Sequence, residues 1–424
     1  MDARTPSAVV RKANQDAPRL ALRPVLGFFH RWVGLFIAGF LFVSGLTGAV
    51  ISWDHELDEV LNPHLTHARA AGAPLPPLAL ADRIEARDPR VQVTYVPLAA
   101  EPGESYAFGV AAKQNPATGK LYEPGYNQVF IDPASGQELG RRNWGAAWPI
   151  TTETFVSFLY VLHYSLHIPA MWGIDRWGVW LMGGIAVLWT LDSFVGFYLT
   201  LPVKSGKGFW SRWKPAWQVK TRASAYRINF DIHRAFGLWI WGVLFTVAFT
   251  AFSLNLYSEV FYPVLSKVSK TTPGPFEQRA PAPLNAPVAA TKTYVQIVET
   301  ARTEAKARGW STPAGGVFYS PPYGIYGVAF HEPGGDHGGG GVGPPYLYYD
   351  GQTGKLVGQR LPWVGTAADI FVQAQFPLHS GRILGLPGRI LISLTGLVVA
   401  ALSVTGVVIW WKKRQARVAR RRRA

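Results

Sequence analysis

Four apolar stretches, each longer than the roughly 20 residues a helix needs to cross a bilayer core, restrict this chain to a few architectures. They lie at Leu26–Trp53, Trp177–Leu201, Ile232–Tyr257 and Ile390–Trp411. The first resembles a secretory leader in position, but it is too long for a leader's apolar core and no small-x-small cleavage site follows it. It is therefore expected to be retained. Only 16% of the 424 residues are charged, against about 25% in soluble domains. The 17 tryptophans suit rings that settle at bilayer interfaces.

A net charge of +16 could point to nucleic acid, but the basic residues gather beside the apolar stretches instead of forming a continuous patch. Arg11, Lys12, Arg19, Arg23 and Arg31 surround the start of the first. Lys204, Lys207, Arg212, Lys214, Lys220, Arg222 and Arg227 separate the second from the third. Lys412, Lys413, Arg414, Arg417 and Arg420–Arg423 follow the fourth. With an even number of spans, this pattern places both termini in the cytoplasm of a bacterial inner membrane, with large periplasmic loops and no nucleic-acid partner.

The expected division is a cytoplasmic N-terminus (1–25), first span (26–53), first periplasmic lobe (54–175), second span (176–201) and cytoplasmic loop (202–231). A third span (232–257), second lobe (258–385), fourth span (386–411) and basic cytoplasmic tail (412–424) complete it. Both lobes are rich in Pro, Gly and aromatics. Short alternating runs such as Val91–Val96 and Tyr346–Tyr349 predict strands, and Tyr294–Ala307 predicts a helix. The chain has no cysteine, which excludes disulfides, thiolate metal sites, iron–sulfur clusters and covalently attached c-type haem.

An internal repeat organises the whole. The first span opens with His30-Arg31-x-x-Gly34-Leu35 and the third with His233-Arg234-x-x-Gly237-Leu238, with Glu56 and Glu259 at similar distances beyond. Each lobe carries a strand, an Asp-x-x-[Ser/Thr]-Gly turn and a second strand, at Asp132–Gly136 and Asp350–Gly354. Each is followed by a Leu-His pair, Leu162-His163 and Leu378-His379, ahead of the next span. The fold expected is a mainly α membrane protein: a four-helix bundle from two parallel helix–lobe–helix repeats, with two α+β periplasmic lobes.

These motifs, together with Leu57-Asp58-x-x-Leu61-Asn62-Pro63, resemble the PepSY-associated transmembrane-helix family over nearly all of residues 25–412. The resemblance implies PepSY-like lobes, haem, and a role like that of inner-membrane ferric-siderophore reductases. Some members carry a fused cytoplasmic flavin-reductase module, for which the inside segments here are too short. His167 and the glycine-rich stretch His331–Gly341 depart from the family pattern.

Ionisable groups at span ends are costly enough to suggest function. Repeat position and depth pair His30 with His233 on the inside and His163 with His379 on the outside, each pair an expected axial ligand set for one b-type haem, two in all, with interfacial rings hydrogen-bonded to water or lipid as the plainer alternative. His167, four residues after His163, could replace it. Gly34 and Gly237, one turn after the inner histidines, would leave room for a flat ring. Gly45, Gly48, Gly183, Gly184 and Gly396 favour close helix packing. Arg176 and Arg389 open the second and fourth spans, where they would meet haem propionates or reach to the interface. Asp192, an acid inside the second span, is expected to pair with Arg or Lys or to relay a proton.

His331, Glu332, Asp336 and His337 form a candidate metal or substrate loop, with a mobile solvated loop as the plainer expectation. His55, His64 and His67 are expected at the surface. Trp210, Trp213 and Trp217 among Arg212 and Lys214 suit a lipid interface. No nucleophilic triad, zinc-binding helix, phosphate loop or dinucleotide fingerprint is present. The expected function is transfer of electrons from a cytoplasmic reductase or quinol to a periplasmic ferric chelate, of the ferric siderophore class. The alternative is a non-enzymatic PepSY-type protein that senses a ligand or regulates a peptidase. A transporter is a weaker third.

Overall fold

A computed structural model describes residues 22–99, 101–203, 208–283 and 285–423. Arg11, Lys12, Arg19, Lys204 and Lys207, and most of the expected N-terminal segment 1–25, lie outside the described residues. Among the described residues, three helices are long and apolar enough to cross a membrane: Leu22–Ile51, Trp177–Thr200 and Arg382–Arg421.

The third expected span is corrected. In place of one helix over 232–257, the chain forms Ala225–Trp239 and Trp241–Asn255, bent 72° apart, and the two make a fourth span only if counted together. The break falls at Ile240, whose φ of −119° and ψ of 22° leave the helical range. The flanking indoles are tied to different neighbours. Trp239 donates its N–H to the Trp217 carbonyl (3.0 Å), and Trp241 donates to Ser193 (3.0 Å). The bend lets the first half lie along the fourth span while the second half lies along the second span. Continuous apolarity could not reveal this, because both halves are apolar.

The first span packs along the fourth, and also touches the second. Glycine allows the closest crossing. A Cβ on Gly45 would stand 2.6 Å from the Gly396 carbonyl oxygen, and one on Gly396 would collide with that of Gly45. Gly48 and Gly183 are similarly confined, whereas Gly184 faces open space and does not serve the packing expected of it.

Outside the spans, the two expected lobes are not separate. Four strands from the first, β1 (Val91–Pro97), β2 (Tyr106–Ala112), β3 (Gln128–Ile131) and β4 (Glu138–Arg142), join four from the second. The latter are β5 (Ala314–Ser320), β6 (Ile325–Phe330), β7 (Tyr346–Asp350) and β8 (Leu356–Arg360). The order is β4-β3-β2-β1-β5-β6-β7-β8, with every neighbouring pair antiparallel. The join is β1 against β5, Tyr95 opposite Phe318 and Val96 opposite Val317. Pairing covers two strand edges that would otherwise stay open.

Helices Pro77–Arg87 and Tyr294–Ala307 supply Leu80, Ile84, Ile297 and Ala301 to a core shared with Val91, Val317, Leu347 and Tyr349 from the strands. Alternation sends Phe318, Tyr346 and Tyr348 to the other face, where Phe318 meets both Tyr346 and Tyr348, and a register shift between Val93 and Tyr95 brings Tyr95 there too. The two Asp-x-x-[Ser/Thr]-Gly turns are structural. Asp132 accepts from the backbone N–H of Ser135, Ala134, Arg69 and Ala70. Asp350 accepts from those of Gln352 and Thr353 and from Arg279. Gly136 and Gly354 close the turns at φ of 67° and 71°, where a side chain would be strained.

Replacing Gly45 by Leu should lower the thermal unfolding midpoint of the detergent-solubilised protein, through about 1–3 kcal/mol or more of overpacking. Gly184→Leu should leave it nearly unchanged. Intrinsic tryptophan fluorescence on heating measures both.

Candidate functional site

His30 lies in the third turn of the first span, and His233 lies midway along the Ala225–Trp239 helix. Buried Asp231 accepts from Arg227 and Arg234 of the same helix at 2.9 Å each. The two imidazole centres are 6.2 Å apart.

His163 and His379 come from two further helices, Thr152–Ser165 and Ala367–Ser380, each 14 residues long. Each begins in a reciprocal cap, Thr151 with Thr154 and Thr366 with Asp369. Each ends in a left-handed residue just beyond its histidine, Leu166 or Gly381. Asn62 ties the first of these helices to the exit of the first span, donating to Asp58 (2.9 Å) and to the Thr152 carbonyl (3.1 Å). Gln375 ties the other to Ser253 (2.8 Å). The centres of His163 and His379 are 6.1 Å apart.

The hydrogen bonds settle which ring nitrogen carries the proton. His163 Nδ1 lies 3.0 Å from the Ser44 carbonyl and 3.1 Å from Thr47 Oγ1. His233 Nδ1 lies 3.1 Å from the Leu402 carbonyl and 3.0 Å from Thr405 Oγ1. His379 Nδ1 lies 2.9 Å from Thr250 Oγ1. Carbonyls only accept. The three threonine hydroxyls already donate to Val43, Ala401 and Thr246 in their own helices. Each Nδ1 must therefore donate. His30 Nδ1 donates to Asp192, with both carboxylate oxygens at 2.9 Å.

A neutral imidazole protonated at Nδ1 presents a bare lone pair at Nε2, and no hydrogen bond engages Nε2 of these four rings among the described residues. Two metal–imidazole bonds of about 2.0 Å each place ring centres on the order of 6 Å apart, so both spacings suit one metal ion between two rings. A Cβ on Gly34 or Gly237 meets nothing within 4 Å, which leaves open room one turn from each histidine of the first pair. Three further glycines lie against the rings themselves. Added Cβ atoms on Gly48, Gly196 and Gly406 would stand 2.9, 3.5 and 3.2 Å from Cε1 of His163, His30 and His233. Ser44 and Thr47, which hold His163, lie 14 to 17 residues beyond His30 on the same helix, so the pairs are roughly 20–25 Å apart along it.

Other expected site residues lie elsewhere. His167 does not replace His163, because the helix ends before it. With φ of 53°, it stacks on Phe158 (4.7 Å between centres) and donates to the Phe158 carbonyl. Arg176 and Arg389 are committed to carboxylates, Arg176 to Glu259 and Arg389 to Glu56, at 2.7 Å each. The repeat thus yields two equivalent struts, each joining the start of one span to the segment after another. Asp192 pairs with His30, not with Lys or Arg, among the described residues.

In the glycine-rich stretch, His331 donates to the Glu332 carbonyl (2.8 Å), and His337 lies 3.8 Å from Asp336. The four do not converge as metal donors. A different group does: His55, Glu59 and Glu104 bring one ligand atom each within 4.8 Å of one another, largely in contact with solvent. Asp336 stands near the aromatic sheet face. Burial pushes the Tyr95 hydroxyl up to about 12, with Tyr346 and Asp336 adding to the shift.

Sequence reasoning found the histidines and singled out Asp192, but not its partner or the residues that hold the other three rings. Their signal is a polar acceptor in an apolar span with a small residue after it, as in Ser44-x-x-Thr47-Gly48 and Leu402-x-x-Thr405-Gly406. The family model described as the PepSY-associated TM region matches residues 29–413. No curated protein matches the chain.

The Arg389 strut gives a test. Arg389 also donates twice to the Ser52 carbonyl and lies over the Trp53 ring at 4.5 Å. Arg389→Ala should cost about 1–3 kcal/mol, seen as a lower unfolding midpoint. The hydrogen bond from Arg389 holds the Glu56 carboxyl at about 2. A carboxyl depressed by folding stabilises above its ordinary value of about 4.3 and loses that contribution as pH falls through the folded value. The midpoint difference between wild type and Glu56→Gln should therefore hold from pH 8 to 5 and close between pH 4 and 2.

Proposed function

The chain belongs to the PepSY-associated transmembrane family, and on that premise we propose that it is a haem-containing inner-membrane reductase. It takes electrons on the cytoplasmic side, from a soluble reductase or a quinol, and delivers them to a periplasmic ferric chelate of the siderophore class. The observation that carries the proposal is the two histidine pairs, separated along the first span, each with Nδ1 donating and Nε2 bare. Bound haem b would supply reversible one-electron chemistry between each pair of imidazoles.

The chain's own residues account for placement and protection. His30 and His233 would hold the cytoplasmic group, and His163 and His379 the periplasmic one. The basic tail after the fourth span supports this orientation. The spans would shield the rings from water, and the threonines and carbonyls, with Asp192 for His30, fix their tautomer. Outside, the aromatic sheet face of Tyr95, Phe318 and Tyr346 offers a surface on which a chelate could rest. One electron converts Fe(III) to Fe(II), which hard oxygen donors hold less tightly, so the chelate releases its iron.

The test is a dithionite-reduced minus oxidised visible spectrum of the purified chain, with haem quantified. About two b-type haems per chain are expected. His30→Ala and His379→Ala should each remove about one of them, while His167→Ala should remove none. Mixing the reduced protein with a ferric siderophore should reoxidise it. A haem-free chain from haem-supplied cells would overturn the proposal in favour of a ligand-sensing or peptidase-regulating role.

A further inference from the structure

The four paired histidines are not held alike. His163, His233 and His379 donate to neutral acceptors, a backbone carbonyl or a threonine hydroxyl. His30 alone donates to a carboxylate. The second span reads Asp192-x-x-Val195-Gly196 where the first reads Ser44-x-x-Thr47-Gly48 and the fourth Leu402-x-x-Thr405-Gly406. The glycine is kept and packs against the ring in all three. The threonine is absent from the second span, and an acid one turn earlier takes over its task.

That exchange is costly. The Asp192 side chain is only 9% exposed, within an apolar helix, and among the described residues no Lys or Arg lies within ion-pair distance of it. A neutral threonine would hold the ring at less expense, as it does for the other three rings. The acid must therefore do something a hydroxyl cannot.

An imidazole whose N–H donates to a carboxylate takes on imidazolate character, and its other nitrogen becomes the stronger donor. A stronger axial donor favours the oxidised, more positive state of a bound metal. So does a negative charge nearby, which weakly polarisable surroundings screen little. Both effects lower the reduction potential.

We propose that Asp192 is a positioning residue that sets the His30–His233 site at a lower reduction potential than the His163–His379 site. An electron arriving on the cytoplasmic side then moves downhill to the periplasmic side. The inference rests on the haem reading above and assigns that reading its direction.

The experiment is a spectroelectrochemical titration of the purified, full-length, haem-loaded protein, with midpoint potential as the readout in place of turnover. Wild type should titrate as two components, and His379→Ala should retain the lower one. Asp192→Asn, nearly isosteric and still able to accept from Nδ1, should move the lower component up toward the upper and leave the upper in place. Asp192→Ser, neutral like the threonine sites, should do the same and serves if the Asn variant does not accumulate. A lower component that stays put in these variants overturns the inference while leaving the haem reading intact. So does its outright loss, since Asp192 would then merely secure the ring. Wild-type protein without haem overturns both.

Discussion

An imidazole placed among apolar helices has one N–H that must find an acceptor, and this structure meets the requirement at four places with a group from a neighbouring helix. The first span holds His163, the second holds His30, the fourth holds His233, and the half-helix Trp241–Asn255 holds His379. Each of these bonds crosses between helices, and a donor left unmet away from water costs several kcal/mol. The same bonds that orient the rings therefore help to hold the helices in register. Helix packing and ring tautomer cannot be separated here.

The repeat explains how one chain comes to have two such sites. Each half contributes a histidine in its first span, a second histidine on a capped helix after its strands, and one Arg and one Glu to the struts. The halves then interlock instead of standing side by side. Each histidine pair takes one ring from each half, and each strut crosses from one half to the other. The sheet repeats the arrangement outside, with β1 of one half on β5 of the other. A half by itself would hold only single rings and an open strand edge, so the sites belong to the assembled pair.

Departures from the repeat are as informative as its agreements. The first half's first helix is continuous, while its counterpart breaks by 72° at Ile240. The second span uses an acid where its counterparts use a threonine or a carbonyl. Two halves of common pattern have thereby become unlike at the points where they approach the rings, and an electron path proposed to run one way needs such unlikeness.

The sequence alone determined much of this. Four apolar stretches and a repeated His-Arg-x-x-Gly and Leu-His pattern carry the membrane character, the family and the two histidine pairs, because hydrophobic length and side-chain chemistry are local properties. Asp192 was visible as an oddity for the same reason. Its partner was not, since His30 lies 162 positions away and no local rule links them. Only the tertiary structure decided that the lobes merge into one sheet, because strand edges in either lobe can pair in several ways. It also decided that the third apolar stretch bends, that Arg176 and Arg389 serve Glu259 and Glu56, and that His167 turns away once its helix ends at Ser165. Each outcome depends on which distant groups arrive within hydrogen-bonding reach, and chain packing alone fixes that.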